Sequence, residues 1–222
     1  MSFEKFSVLA IKVAPLCLAL LVQLSCAKRC TRSLEQAPDL RGFRLGTTLS
    51  QIQNRFPGVP NLTANEFGSG KFTINVTSMP GPETVKPSGG GYVLVSASRY
   101  PELLGTDRII LELVDGRLAK ITVLYPKDLK WRSVDEFVQK TAETLNLPDG
   151  WEASDSTKDY RHVFCKGFYV RAGIDNEKYD DEKLPFVEVA DTEASIQPIL
   201  RTLDRNENEN RKEEERRKTF KP

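Results

Sequence analysis

Two hydrophobic rhythms run along this chain, and they occur in the same order twice. The first opens at Thr48-Leu49-Ser50-Gln51, a T-x-x-Q capping box. In such a box the threonine hydroxyl takes an orphan amide and the glutamine reaches back to the cap. Leu49, Ile52 and Phe56 follow at helical spacing, which predicts a helix with one apolar face, stopped by Pro57-Gly58. From Lys71 to Thr77 the period shortens to that of a strand, with Phe72, Ile74 and Val76 on one side. Met79 to Gly91 is rich in Pro, Gly and Ser and reads as a loop. Tyr92 to Arg99 reads as a strand, and Arg108 to Val114 and Arg117 to Tyr125 flank Asp115-Gly116, a strong hairpin signal.

The second round opens at Ser133-Val134-Asp135-Glu136, another capping box. Val134, Phe137, Thr141 and Leu145 continue the helix, and Pro148-Asp149-Gly150 ends it. Strands are predicted at Tyr160 to Cys165 and Phe168 to Ile174, joined at Lys166-Gly167, and at Phe186 to Ala190. A third helix runs from Ile196 to Leu203, with Ile196, Ile199, Leu200 and Leu203 as its apolar stripe and Pro198 in its first turn. The pattern therefore predicts an α+β fold of two successive helix-plus-antiparallel-sheet units, residues 42–126 and 127–203, forming one domain or two tightly packed ones. A lead-in over residues 28–41 precedes them. The expected core is Leu49, Ile52, Phe56, Ile74, Ile109, Leu111, Ile121, Val123, Phe137, Leu145, Val163, Phe168, Val170, Val187 and Val189.

The two ends follow other rules. Lys5 and Lys12 precede or border an apolar run from Val13 to Leu24, and Ser25 and Ala27 are small, as cleavage after Ala27 requires. The run is shorter than the ~20 residues that cross a bilayer, so residues 1–27 read as a signal peptide, with a retained membrane anchor as the alternative. Val22-Gln23-Leu24-Ser25-Cys26 loosely matches a lipobox, which makes Cys26 a candidate for lipidation. The expected address is periplasm, cell envelope or extracellular space. Past Asp204, residues 204–222 form a charged tail in which Glu207–Arg211, Glu213–Arg217 and Glu214–Lys218 support helix. Lacking an apolar face, it reads as a solvated helix extension or a disordered tail, with a binding arm as the sharper alternative.

Composition narrows the function by subtraction. The 222 residues carry 32 Lys+Arg against 31 Asp+Glu, so the basic footprint of a nucleic-acid-binding domain is missing. A single histidine rules out a multi-histidine metal centre within one chain. Of four cysteines, Cys17 and Cys26 belong to the signal segment. Cys30 and Cys165 remain as a candidate disulfide in an oxidising compartment, unless Cys165 is simply a small buried hydrophobe.

Candidate chemistry is sparse. If Lys166-Gly167 is a two-residue turn, Phe164 faces Tyr169 and His162 faces Arg171. Tyr160, His162, Phe164, Tyr169 and Arg171 then share a face, either as an aromatic–basic interaction patch or as ordinary solvent-facing strand residues. A neighbouring guanidinium disfavours imidazolium, so His162 suits a neutral polar contact. Strand parity sends Cys165 and His162 to opposite faces, which disfavours a Cys–His nucleophile. Gly68-Ser69-Gly70-Lys71 lacks the hydroxyl residue of a phosphate loop and reads as a turn, and Gly89-Gly90-Gly91 has no following helix. Asp175, Glu177, Asp180, Asp181 and Glu182 lack the order of a calcium loop and read as a solvated segment. Asn61-Leu62-Thr63 and Asn75-Val76-Thr77 match the glycosylation sequon, which matters only in a eukaryotic secretory pathway.

Phe43-Arg44-Leu45-Gly46-Thr47-Thr48-Leu49-Ser50-Gln51-Ile52 resembles the opening of the small envelope α/β modules of the SmpA/OmlA (BamE) lipoprotein family and of beta-lactamase inhibitory proteins. The latter carry two such modules in tandem. Val114-Asp115-Gly116-Arg117-Leu118 is similar to the hairpin in their later strands. The second opening, Trp131-Arg132-Ser133-Val134, departs from the pattern in lacking the Leu-Gly element. The resemblance implies an exported, non-enzymatic protein-binding or assembly module. A secreted hydrolase with a carboxylate-based site is the alternative. No catalytic residue, metal or cofactor is assigned. The expected partner is another protein rather than nucleic acid, with membrane contact only through the N-terminal segment.

Overall fold

The computed structural model describes residues 30–56, 69–78, 84–86, 91–153, 159–175 and 184–219. Among them are helices α1 (Leu49–Arg55), α2 (Val134–Leu145) and α3 (Thr192–Thr219). The strands are β1 (Ser69–Thr77), β2 (Thr84–Lys86), β3 (Gly91–Ser96), β4 (Arg108–Val114), β5 (Arg117–Leu124), β6 (Glu152–Ala153), β7 (Tyr160–Phe164), β8 (Phe168–Asp175) and β9 (Leu184–Asp191). They form one mixed α+β sheet in the order β2-β3-β1-β4-β5-β9-β8-β7-β6.

The sheet is mostly, not wholly, antiparallel, because β1 and β3 pair parallel. The reason lies in β2, which the sequence reading had placed inside a loop. It pairs antiparallel with β3 and so uses up the chain reversal, and β3 returns in the direction of β1 and slots between the two. β1 itself starts at Ser69, so Ser69-Gly70-Lys71 is strand rather than turn. β5 and β9 join the earlier and later strands, with Lys120 opposite Ala190 and Leu124 opposite Phe186.

Alternation along the strands gives the sheet two faces. One collects Phe72, Ile74, Val93, Val95, Ile109, Leu111, Ile121, Val123, Val187, Val189, Val170 and Phe168 into the core under α1 and α2. The predicted core residues lie there, with Leu49 and Leu145 only partly buried at its rim. The lead-in contributes more than its polarity suggested. Cys30, Ala37, Leu40 and Phe43 are all buried in this core. Leu40 and Phe43 exchange both backbone hydrogen bonds, each 3.0 Å, around a tight turn at Arg41-Gly42, and both turn residues have positive φ, 57° and 82°. Phe43 stacks on Phe56, centroids 5.6 Å apart.

The helix ends follow their local chemistry. Thr48 caps α1 with a reciprocal box, Thr48 N donating to Gln51 Oε1 at 2.8 Å. At Ser133 the box is only half made. The serine accepts from Glu136 N at 3.1 Å, but the Glu136 carboxylate takes Arg132 N, one residue earlier. α2 ends at Asn146 in the left-handed conformation, before Pro148, and Leu147 N donates to Ala142 O at 2.8 Å. Pro57-Gly58 lie outside the described residues.

α3 departs most from expectation. It starts directly after β9, with Asp191 Oδ1 accepting from Ala194 N at 2.8 Å, and Pro198 falls inside it rather than in its first turn. Ser195, Pro198, Arg201 and Thr202 are half-buried, whereas the apolar stripe is exposed, from 43% at Leu200 to 59% at Ile199. The cause is what the helix meets. Arg201 forms a two-pronged ion pair with Asp115 of the β4–β5 hairpin, at 2.8 and 2.6 Å. The side of the helix that carries Arg201 faces the hairpin, and the stripe faces solvent. Every residue from Leu203 to Thr219 is exposed, and Arg217–Glu213 at 2.5 Å is among the i,i+4 pairs there. Arg211 bonds Asn208 instead of Glu207.

Candidate functional site

Among the described residues, three places have the chemistry of a site. The first is the predicted patch, on the sheet face opposite the main core. The Lys166-Gly167 turn sets the register, so Phe164 faces Tyr169 and His162 faces Arg171. Tyr160 lies opposite Gly173 on the same face. Phe164 is 59% exposed and sits 5.0 Å from the His162 ring and 5.9 Å from Tyr169. The Arg171 guanidinium lies over the Tyr160 ring at 5.0 Å.

These side chains are organised by a residue that the sequence reading missed. Glu188, in the middle of β9, is buried. Its Oε2 accepts from Arg171 Nη2 at 3.1 Å and from Thr122 Oγ1 at 3.2 Å, and its Oε1 accepts from the Tyr169 hydroxyl at 3.1 Å. Thr122, Glu188, Arg171, His162 and Glu152 are successive cross-strand partners, which makes a polar row through β5, β9, β8, β7 and β6. His162 Nε2 is 3.8 Å from a Glu152 oxygen at its end. Burial holds the Tyr169 phenol above its ordinary range, and the Glu188 charge pushes it further the same way. Burial works against the Arg171 charge, but Glu188 together with the Tyr169 and Tyr160 phenols more than restores it. A carboxylate engaged through both oxygens serves as an anchor for its neighbours. A single charged residue flanked by Val187 and Val189 did signal, by parity, that the opposite face differs. Its partners come from strands distant in sequence, and only the sheet register assembles them.

The second place is a cleft on the core side, about 240 Å³ in volume, between α2 and the turn at Arg41. Tyr125, Leu129, Trp131 and Phe137 form its walls, and Arg41 and Lys140 stand at its edge. Trp131 and Phe137 meet edge to face at 5.1 Å. The Arg41 guanidinium lies 5.6 Å from the Tyr125 ring centroid. Burial raises the Tyr125 phenol pKa, partly offset by the Arg41 charge. The sequence singled out Phe137 for the core and Trp131 at the second opening, but it did not bring these residues together, because they come from separated segments.

The third place is the exposed stripe on α3. Ile196, Ile199, Leu200 and Leu203 present a continuous apolar strip at helical spacing to solvent.

Cys30 and Cys165 are joined by a disulfide, with Cα atoms 4.6 Å apart. It ties the lead-in to the end of β7, where Lys166 N also donates to Arg32 O at 2.9 Å. Val163 and His162 point to opposite faces, as alternation required. Asn75-Val76-Thr77 lies within β1. Residues 1–29 with Cys26, the first sequon at Asn61, Gly89-Gly90 and the acidic stretch from Glu177 to Glu182 lie outside the described residues. Among the described residues no group of three or more His, Cys, Asp or Glu is placed to hold a metal ion, and no helix is long and apolar enough to cross a membrane. No family model, no curated protein and no solved structure matches this chain.

Proposed function

We propose that this protein is an exported, non-enzymatic binding or assembly module that recognises another protein through the apolar stripe of α3. The observation that carries the reading is that stripe. Four large aliphatic side chains stand 43% to 59% exposed on one helix face while the polar side of the same helix packs inward. Contiguous exposed apolar surface of this kind is favoured where a partner covers it, and an amphipathic helix offering i, i+3, i+4 and i+7 anchors is a recurrent recognition mode. The signal-like N-terminus argues for export, and the Cys30–Cys165 bridge suits an oxidising compartment. The order α1 with β1 to β5, then α2 with β6 to β9, supports reading the fold as two units merged in one sheet. That is in keeping with the resemblance to tandem envelope modules.

A carboxylate-based hydrolase draws less support. Glu188 is a buried carboxylate, but Arg171, Tyr169 and Thr122 already occupy its oxygens. The test is a comparison of the native chain with the double variant Ile199→Asp, Leu203→Asp, both expressed in the native host. The native chain is expected to co-purify with a stoichiometric protein partner that crosslinks to a photoreactive residue at Leu200. The double variant should lose it with thermal stability unchanged, because surface substitutions away from packed features cost less than about 0.5 kcal/mol. Retention of the partner by the variant would remove the basis of the proposal.

A further inference from the structure

We propose that the cleft between α2 and the Arg41 turn binds a small apolar molecule bearing a carboxylate, with Arg41 and Lys140 holding the anionic group. This goes beyond the α3 reading and does not rest on it. The body of the ligand follows from the walls. Tyr125, Leu129, Trp131 and Phe137 offer ring faces and an aliphatic side, and Val187 lies behind them. A volume of about 240 Å³ falls just below the ~300 Å³ at which drug-sized ligands begin to fit, so one ring with a short chain fills it.

The charge follows from the rim. Arg41 and Lys140 are the ionised side chains among the lining residues, which include no Asp or Glu. Lys140 Nζ also lies 3.3 Å from Glu143 Oε2 beside the cleft, and Arg41 Nη1 donates to the Glu102 carbonyl at 3.4 Å. A rim that offers two cations and no anion calls for a negatively charged group. A guanidinium fork matches a carboxylate in plane and spacing.

The backbone at Arg41 adds an independent pointer. It sits at the first central position of the tight turn with φ 57°, followed by Gly42 at 82°. Asn, Asp or Gly accept that conformation most readily, and an arginine there is uncommon. The turn gains nothing from an arginine's backbone. What the residue contributes is its head group, delivered over Tyr125 at the cleft edge.

The experiment uses the full, disulfide-intact chain and two probes with the same apolar body and opposite charge, 4-phenylbutyrate and 4-phenylbutylamine. Of the two tryptophans in the chain, Trp151→Phe leaves Trp131 as the sole reporter of the cleft. Phenylbutyrate is expected to change its emission saturably and the amine to bind at least about tenfold more weakly. Calorimetry on the unsubstituted chain should give the same order of affinities, in case the Trp151 variant fails to fold. Arg41→Asn keeps the left-handed turn, so its melting temperature should hold while phenylbutyrate affinity falls about tenfold. Lys140→Gln should weaken binding in the same direction. Equal binding of the amine, unchanged affinity in both variants, or no saturable signal at millimolar phenylbutyrate would each overturn the proposal.

Discussion

At the scale of single residues, the polar row on the outer face concentrates the consequences. Glu188 is buried and shares its charge with Arg171, and removal of one partner leaves the other's charge uncompensated. Glu188→Ala is therefore expected to destabilise by about 3 kcal/mol in chemical denaturation. A cost near that of an ordinary exposed glutamate would mean the row is decorative. Tyr169 supplies the pH signature. Its folded pKa is raised, first by burial and then by Glu188, so the stability it confers is complete below the unfolded value of about 10 and declines as pH rises beyond it. Tyr169→Phe should lower stability near neutrality, where the hydroxyl bonds Glu188, and flatten the decline above pH ~10. Gly173 is a steric case. A Cβ there would collide with the Asp159 carbonyl oxygen and Tyr160 Cα, both backbone atoms that cannot swing aside. Gly173→Ala should cost about 2 kcal/mol and displace the neighbouring end of β7, visible as lost amide protection there.

At the scale of elements, α3 lies with its hydrophobic stripe outward and an ion pair to the β4–β5 hairpin on its other side. The pattern alone favours burying Ile196, Ile199, Leu200 and Leu203. The bidentate Arg201–Asp115 contact and the half-buried Ser195, Pro198 and Thr202 lie on the opposite side. Asp115 sits in the left-handed turn that its Asp-Gly pair predicts, φ 51°, and its carboxylate serves a second purpose by receiving Arg201. The Arg201 hydrogen bond lowers the Asp115 pKa below its usual 3.8. The tether is accordingly intact above that value and is lost as pH falls through the lower folded one. Hydrogen exchange at the start of α3 should speed up over that acid range in the native chain. In Arg201→Gln the faster exchange should already be present at neutral pH, and the Asp115 titration should move up to its ordinary position. Equal protection in both chains across the range would show that the helix is held by other contacts.

For the molecule as a whole, the Cys30–Cys165 link joins two residues 135 positions apart in the sequence. It pins the lead-in, whose Leu40 and Phe43 are buried in the core, to the end of β7, next to the β6 edge of the sheet. Closing a loop of that length restricts the unfolded chain strongly, and its loss is expected to cost about 4 kcal/mol. Comparison of midpoints for the oxidised protein and the Cys30→Ser, Cys165→Ser variant would measure this. The same link keeps one wall of the cleft in place, because the Arg41 turn follows from the tethered segment.

Local physics was legible directly from the chain. The Thr48 box, the Asp115-Gly116 and Lys166-Gly167 turns, the strand periods and the core residues depend on neighbours a few positions away, and hydrophobic alternation has only one buried solution. The register placing His162 against Arg171 followed from the same logic. What lay out of reach was everything decided between distant segments. Three short residues, Thr84–Lys86, changed the direction in which β3 returns. Glu188 gained partners from β5 and β8. Arg41, Tyr125 and Trp131 met around one cleft. The hydrophobic stripe of α3 stayed outward, because what a helix buries depends on the surface it lands on as well as on its own pattern. The sequence by itself thus determined which residues could form helices, strands, turns and core. The tertiary structure alone decided which surfaces were left open for binding.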